Sequence, residues 1–258
     1  MERLKNKVAI VTGAGQGIGL AIADRFCSEG ARVVIAEKNP ESGAAAAKDL
    51  KHKTGNDTLF VETDIADGNA VKEMLRQAHA TFGAVDILVN NAGIAVCRDP
   101  LEVTQEDWDR CMAVDLEGAW LCCKGVLPEM LERRYGAIIN IASVHGSAVM
   151  RSAFPYPVAK HGILGLTRAL ALQYADKGIA VNAISPGFID TPIADWCFGH
   201  AADPVAAREA EIRKQPIQRL GLPSEVAAVA ALMASDEARF MVGANVVIDG
   251  GVSVRLYD

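Results

Sequence analysis

Seven short apolar runs constrain this 258-residue chain more than any other feature of its sequence. They are KVAIVTG (7–13), ARVVIAE (31–37), TLFVETD (58–64), VDILVNN (85–91), GAIINIAS (136–143), IAVNAIS (179–185) and ANVVIDG (244–250). Each is a near-continuous Val/Ile/Ala run, not an alternation of apolar and polar residues, which is the pattern of strands covered on both faces. The stretches between them, such as GIGLAIADRFCSEG and GNAVKEMLRQAHATFG, carry apolar residues at helical spacing and end on Gly, a common helix stop. Strands alternating with helices predict right-handed βαβ units and an α/β fold with a doubly wound, Rossmann-type parallel sheet of about seven strands. No linker-like stretch divides the chain, so residues 1–258 are expected to form a single domain. Residues 191–222 break the rhythm and are expected to form an extra helical segment that covers a site at the carboxyl ends of the strands.

Composition narrows the classes of function. Half of the residues are hydrophobic, so the chain can bury a large core. The net charge of −6 offers no basic excess to neutralise phosphates, which argues against nucleic-acid binding. No long apolar stretch free of charge predicts a membrane span, and a cytoplasmic location is expected. The six cysteines, Cys27, Cys97, Cys111, Cys122, Cys123 and Cys197, form no CxxC pair and are expected to be buried free thiols, with Cys122 and Cys123 on different faces of a helix. The five histidines show no ligand-like spacing, so no metal is expected.

The chemistry-bearing residues lie at the ends of the predicted strands. TGAGQGIG (12–19) follows the first strand and opens a helix, with glycines in a GxxxGxG register at Gly13, Gly17 and Gly19. Bare backbone and free N–H groups at a helix start can receive a pyrophosphate, although an ordinary tight βα turn reads the same way. Glu37 ends the second strand, where a carboxylate can accept hydrogen bonds from both adenosine ribose hydroxyls and repel a 2′-phosphate. That favours NAD over NADP, a preference that Lys38 weakens. Asp64, after the third run, is placed either at an adenine edge or at a helix N-cap. Asn90-Asn91-Ala92-Gly93 ends the fourth strand in a turn that a cofactor could pass. Tyr156 and Lys160 stand one helical turn apart on one side, and Pro157 suits a helix's first turn.

These motifs, with Ser143, SPGFIDT (185–191) and VIDGG (247–251), resemble the short-chain dehydrogenase/reductase family in order and spacing over essentially the whole chain. The resemblance implies an NAD-preferring enzyme in which Tyr156 is the general acid/base and Lys160 its electrostatic helper and ribose contact. Ser143 would hold the substrate oxygen. It further implies cofactor contacts from Gly13, Gln16, Gly17, Ile18, Gly19, Glu37, Asp64, Ile65, Asn91, Ala92, Gly93, Pro186, Gly187, Ile189 and Thr191, the last two at the nicotinamide carboxamide.

One position departs from the family. MAVDLEG has Asp115 where the family has Asn, the fourth catalytic residue, whose main-chain carbonyl holds a water that links the lysine to solvent. A backbone role would survive the exchange, while the side chain adds a carboxylate near a helix distortion.

His145, Arg151 and the 192–200 segment with Asp195, Trp196 and His200 are candidate substrate contacts and suggest a small polar molecule. The expected reaction is hydride transfer between NAD(H) and a small secondary alcohol or ketone such as a sugar, polyol or hydroxy acid. The alternative is a 3-oxoacyl thioester reductase, against which Gln16 in the glycine loop and Glu37 both argue. A catalytically silent NAD-binding regulator is the alternative outside enzymes. Family membership also implies a homotetramer, and the 104–131 run with Trp108, Trp120, Cys122 and Cys123 is expected to contribute an oligomer face.

Overall fold

The protein is described by a computed structural model covering residues 2–199 and 201–256. Seven parallel strands form the central sheet: β1 (Val8–Thr12), β2 (Arg32–Glu37), β3 (Thr58–Glu62), β4 (Ile87–Asn90), β6 (Gly136–Ile141), β8 (Ile179–Pro186) and β9 (Asn245–Ile248). Their order is β3-β2-β1-β4-β6-β8-β9, the doubly wound Rossmann arrangement that the apolar runs predict. The connections turn in opposite directions on either side of the β1/β4 boundary, and a crevice opens there at the carboxyl ends of the strands.

Alternate residues of each strand feed two different cores. From β1, Ala9 and Val11 pack in one layer with α1 (Gly17–Ser28), α2 (Pro40–Thr54) and α9 (Pro223–Ala234). Val8 and Ile10 pack in the other with α3 (Gly68–Phe82) and α5 (Gly118–Arg133). Helix α6 (Tyr156–Tyr174) lies on this second side. Strands β1, β4, β6 and β8 are thus buried on both faces, which is why they read as near-continuous apolar runs, whereas Glu62 on the edge strand β3 and Val247 on the edge strand β9 are exposed.

Two features were not readable from the runs. Helix α4 (Gln105–Met112) continues into α5 through a π-helical turn at Ala113–Glu117. Two-residue strands β5 (Cys97–Arg98) and β7 (Phe154–Pro155) pair antiparallel and clip the segment after β4 to the start of α6. The 191–222 segment holds α7 (Pro192–Gly199) and α8 (Pro204–Lys214), fastened by Arg208 of α8, which donates to Asp190 at 2.6 Å and to Asp195 at 3.2 Å.

The cysteine expectation needs correction. All six are free, but Cys97 and Cys197 are exposed. Cys122 and Cys123 both pack in the same layer under the sheet, although they are adjacent. Burial pushes the thiols of Cys27, Cys111, Cys122 and Cys123 up to about 12, which keeps them protonated. The expected oligomer face also shrinks. Trp108 packs on the Phe154 ring at 5.6 Å, and of the four residues singled out in the 104–131 run only Trp120 is exposed.

Candidate active site

The glycine turn after β1 is built for close approach. A Cβ on Gly19 would collide with the Gly13 carbonyl oxygen and lie 2.5 Å from Asn91 Nδ2, and one on Gly13 would lie 2.8 Å from Ala92 Cα. Gly13 and Gly17 also have positive φ values of 62° and 58°, which favour glycine. Gln16 is the N-cap of α1, and its side chain makes no capping bond. The first N–H groups of α1 therefore have no side-chain partner and face a turn bare of side chains, which fits a pyrophosphate at a helix N-terminus. Ile18 sits in the first turn of this helix.

Thr12, which the motif reading passed over, fixes the turn against the end of β4. Its hydroxyl accepts from the N–H groups of Asn91 at 3.0 Å and Ala92 at 3.1 Å. Asn91 Nδ2 donates back to the carbonyls of Thr12 at 2.9 Å and Gly13 at 3.1 Å. From the opposite wall, Pro186 ends β8 and Gly187 begins the loop that carries Ile189 and Thr191. Ile189 is buried and bridges to Gly221, while the Thr191 side chain lies about 3.5 Å from where a Gly17 Cβ would stand. The glycine turn and the 187–191 loop thus face each other across the crevice.

Glu37 ends β2, its carboxylate accepting from Gly15 N–H at 3.1 Å and Asn39 N–H at 3.0 Å. Lys38 is drawn to Asp64 at 2.7 Å and holds that carboxyl below its usual range. Asp67, not Asp64, caps α3. The Ile65 side chain is buried in the core against Gly118, so only its backbone can face a cofactor.

The acid/base candidates converge at the start of α6. Tyr156 is its first residue, Pro157 fills its first turn, and Lys160 is buried one turn on. Lys160 Nζ lies 5.2 Å from the Tyr156 ring centre, 3.4 Å from the Ile141 carbonyl and 3.2 Å from Asp115 Oδ1. Ser143, just beyond β6, caps a short 3-10 turn at Val144–Gly146 and accepts from His145 N–H at 3.1 Å. Its hydroxyl acts on the Tyr156 phenol and favours the phenolate. Burial raises the Tyr156 pKa above its ordinary value, against Lys160 and Ser143, which lower it. For Lys160, burial works against the charge, but Tyr156 and Asp115 outweigh it and keep the ammonium charged. A phenol, a hydroxyl and an ammonium at one strand end can hold an oxygen and exchange a proton with it.

Residues 13–253 match the family model described as Enoyl-(Acyl carrier protein) reductase, adh_short_C2. The chain is 40% identical to the cis-4-hydroxycyclohexanecarboxylate dehydrogenase of Sinomonas cyclohexanicum, over 97% of this chain and 98% of that one. It is 37% identical to the D-threitol dehydrogenase of Mycolicibacterium smegmatis, over 98% and 95% respectively. The L-sorbose reductase of Gluconobacter frateurii, solved with NADPH and L-sorbose, superposes with a TM-score of 0.93 at 32% identity, over 99% of this chain and 100% of that one. The chain belongs to the short-chain dehydrogenase/reductase family. It is an oxidoreductase of alcohols and ketones.

Within this short-chain dehydrogenase/reductase the candidate substrate residues divide. The His145 ring meets the Tyr156 ring edge-on at 5.9 Å, and its Nδ1 is buried without a hydrogen-bond partner among the described residues. Burial lowers its pKa, so it is a neutral imidazole beside the phenol. Arg151 is instead exposed, on a hollow of about 510 Å³ lined with Asp99, Met150 and Val158 and by none of the catalytic side chains. Asp195 is tied to Arg208. The Trp196 side chain and His200 lie outside the described residues. Cys97 pairs in the ribbon with Pro155, the residue before Tyr156, and acts electrostatically on the Tyr156 phenol. No signal in the sequence marked it. Among the described residues no cluster of acidic, His or Cys side chains could hold a metal, and no helix is long and apolar enough to cross a membrane.

Proposed function

We propose that the chain is an NAD(H)-dependent dehydrogenase/reductase of small polar secondary alcohols and ketones. The convergence of Ser143, Tyr156 and Lys160 at the crevice opposite the glycine turn carries this reading. The nicotinamide cofactor supplies or accepts the hydride when bound. The glycine turn with the α1 N-terminus would hold its pyrophosphate, Lys160 its ribose, and Ile189 and Thr191 its carboxamide. Ser143 holds the substrate oxygen, and the Tyr156 phenol gives that oxygen a proton in reduction or takes one in oxidation. The neutral His145 beside the phenol, together with relatives named for hydroxy-acid, polyol and sugar substrates, supports a small polar substrate.

Glu37 supports NAD, because a carboxylate at the end of β2 repels a 2′-phosphate, and the adjacent Lys38 charge is engaged by Asp64. Glu37→Ser is expected to lower the ratio of kcat/KM for NAD⁺ over NADP⁺ by roughly tenfold, about 1.4 kcal/mol. A wild-type protein that prefers NADP⁺ overturns the cofactor reading. A homotetramer in the cytoplasm is part of the proposal, supported by the exposed Trp120 on α5 and the exposed Phe240, Val242 and Val247 near β9.

The test is a turnover screen with NAD⁺ and NADP⁺ against polyols, hydroxy acids and simple secondary alcohols, and with NADH and NADPH against the matching ketones. Turnover in wild type that is lost in Tyr156→Phe supports the reading. Equal inertness of both on every substrate sinks it.

A further inference from the structure

Asp115 does more in this structure than replace an Asn. Its side chain is 0% exposed and that of Lys160 only 6%. The π-helical turn at Ala113–Glu117 carries it inward between α4 and α5. There it accepts from Ile94 N–H at 3.3 Å on both oxygens, meets the Cys111 thiol at 3.9 Å and receives Lys160 Nζ at 3.2 Å. Gly93 makes room for this pair, since a Cβ there would lie 2.7 Å from Asp115 Oδ1 and 3.4 Å from Lys160 Nζ.

The lysine is therefore shared between two clients. A lone ammonium facing Tyr156 stabilises the phenolate at full strength, whereas one paired with a carboxylate in a dry pocket presents a much smaller net field. We propose that Asp115 is a positioning residue that draws Lys160 aside and cancels part of its charge, so that Tyr156 stands as a proton donor at neutral pH and becomes the base that alcohol oxidation needs only in alkali. This rests on the function proposed above and adds the pH dependence of that same site. In reduction the carbonyl carbon gains the hydride supplied by the reduced nicotinamide, and the carbonyl oxygen gains the Tyr156 proton. The phenolate left behind regains a proton from water.

The groups that face the trio are few. Lys160 and Tyr156 come from α6, Cys111 from α4 and Cys97 from β5, with neutral His145 edge-on to the phenol. Burial raises both thiols, so neither adds charge at neutral pH. Burial raises the Asp115 pKa against Lys160 and the Ile94 N–H, which lower it. As the carboxylate paired with Lys160 at 3.2 Å, Asp115 raises the phenol's pKa, with a smaller contribution from Cys97. The Tyr156 base form appears only as pH climbs through that raised pKa, so the acid limb of alcohol oxidation lies above neutrality. Replacing the carboxylate by an amide leaves Lys160 uncompensated, favours the phenolate and moves the limb to lower pH.

The experiment is the pH–rate profile of alcohol oxidation in wild type, Asp115→Asn and Gly93→Ala, with thermal melting and cofactor affinity measured in parallel. Wild type is expected to show an acid limb above pH 7, which Asp115→Asn lowers by about one unit. Gly93→Ala, which keeps both charges but crowds the pair, should move the limb the same way by less. An unmoved limb in a folded Asp115→Asn protein overturns the inference. If that variant fails to fold, a wild-type acid limb below pH 7 overturns it by itself. Tyr156→Phe in the same assay separates the two readings. If it retains turnover the proposed function falls, whereas if it is dead and the Asp115→Asn limb is unmoved, only the present inference falls.

Discussion

Tyr156→Phe is expected to lower turnover in both directions by ~10²–10⁴-fold while the protein still binds nicotinamide cofactor and melts at an unchanged temperature. The ring stays, so its packing with His145 and the start of α6 is kept, and only the phenolic hydroxyl is lost. An oxygen held by Ser143 then has no proton partner within reach. Lys160, one turn on, cannot take over, because its ammonium is engaged with Asp115 and the Ile141 carbonyl. Steady-state rates beside cofactor titration by fluorescence decide the matter. A variant with more than about a tenth of wild-type turnover means that another group moves the proton.

Gly19→Ala is expected to act at the other end of the site and by another route. One added methyl at Gly19 meets the Gly13 carbonyl and the Asn91 amide, neither of which can yield. Asn91 is already spent on the Thr12 and Gly13 carbonyls, and Thr12 on Asn91 and Ala92. The methyl must therefore part β1 from β4 where the crevice opens. Overpacking of this kind costs about 1–3 kcal/mol, and a lower melting temperature should accompany a loss of cofactor affinity of roughly 100-fold or more. Gly55→Ala is the contrasting control. Its added Cβ would meet nothing within 4 Å, although its φ of 74° disfavours any side chain. It should cost stability and leave cofactor affinity alone. Equal affinity in wild type and Gly19→Ala, measured by calorimetry, would rule out the cradle.

The difference between those two glycines shows what the sequence made legible. The inner strands were readable because each is buried on both faces, so Val, Ile and Ala run on without polar interruption, as in Val8–Val11. The site was readable in outline because a doubly wound sheet puts its chemistry at strand ends, where Gly13, Glu37, Asn91 and Ser143 stand. Features that depend on three-dimensional register were not. The resemblance implied a helix distortion near Asp115, but nothing in MAVDLEG announces that it swings the carboxylate onto Lys160. The β5–β7 ribbon is two residues deep, too short for any period to show, yet it places Cys97 beside Tyr156. Arg151 and Asp195 looked like substrate contacts from their place in the chain. Arg151 turns to an outer hollow, and Asp195 is consumed by Arg208. The count of exposed thiols failed for a related reason, since a cysteine's neighbours in space, not in sequence, decide its burial.

The π-helical turn has a consequence for how this site could arise or be lost. A π turn holds one residue more than the α turn it interrupts, and each residue of an α-helix turns about 100°. Deleting a single residue between Ala113 and Glu117 would therefore let α4 run on into α5 as an ordinary helix with the residues beyond it still in phase, so that Cys122, Cys123 and Val126 keep their place under the sheet. Only the widened turn would go, and with it the turn that carries Asp115 to Lys160. A one-codon deletion here would remove the lysine's partner as surely as a substitution at position 115, while leaving the core in register.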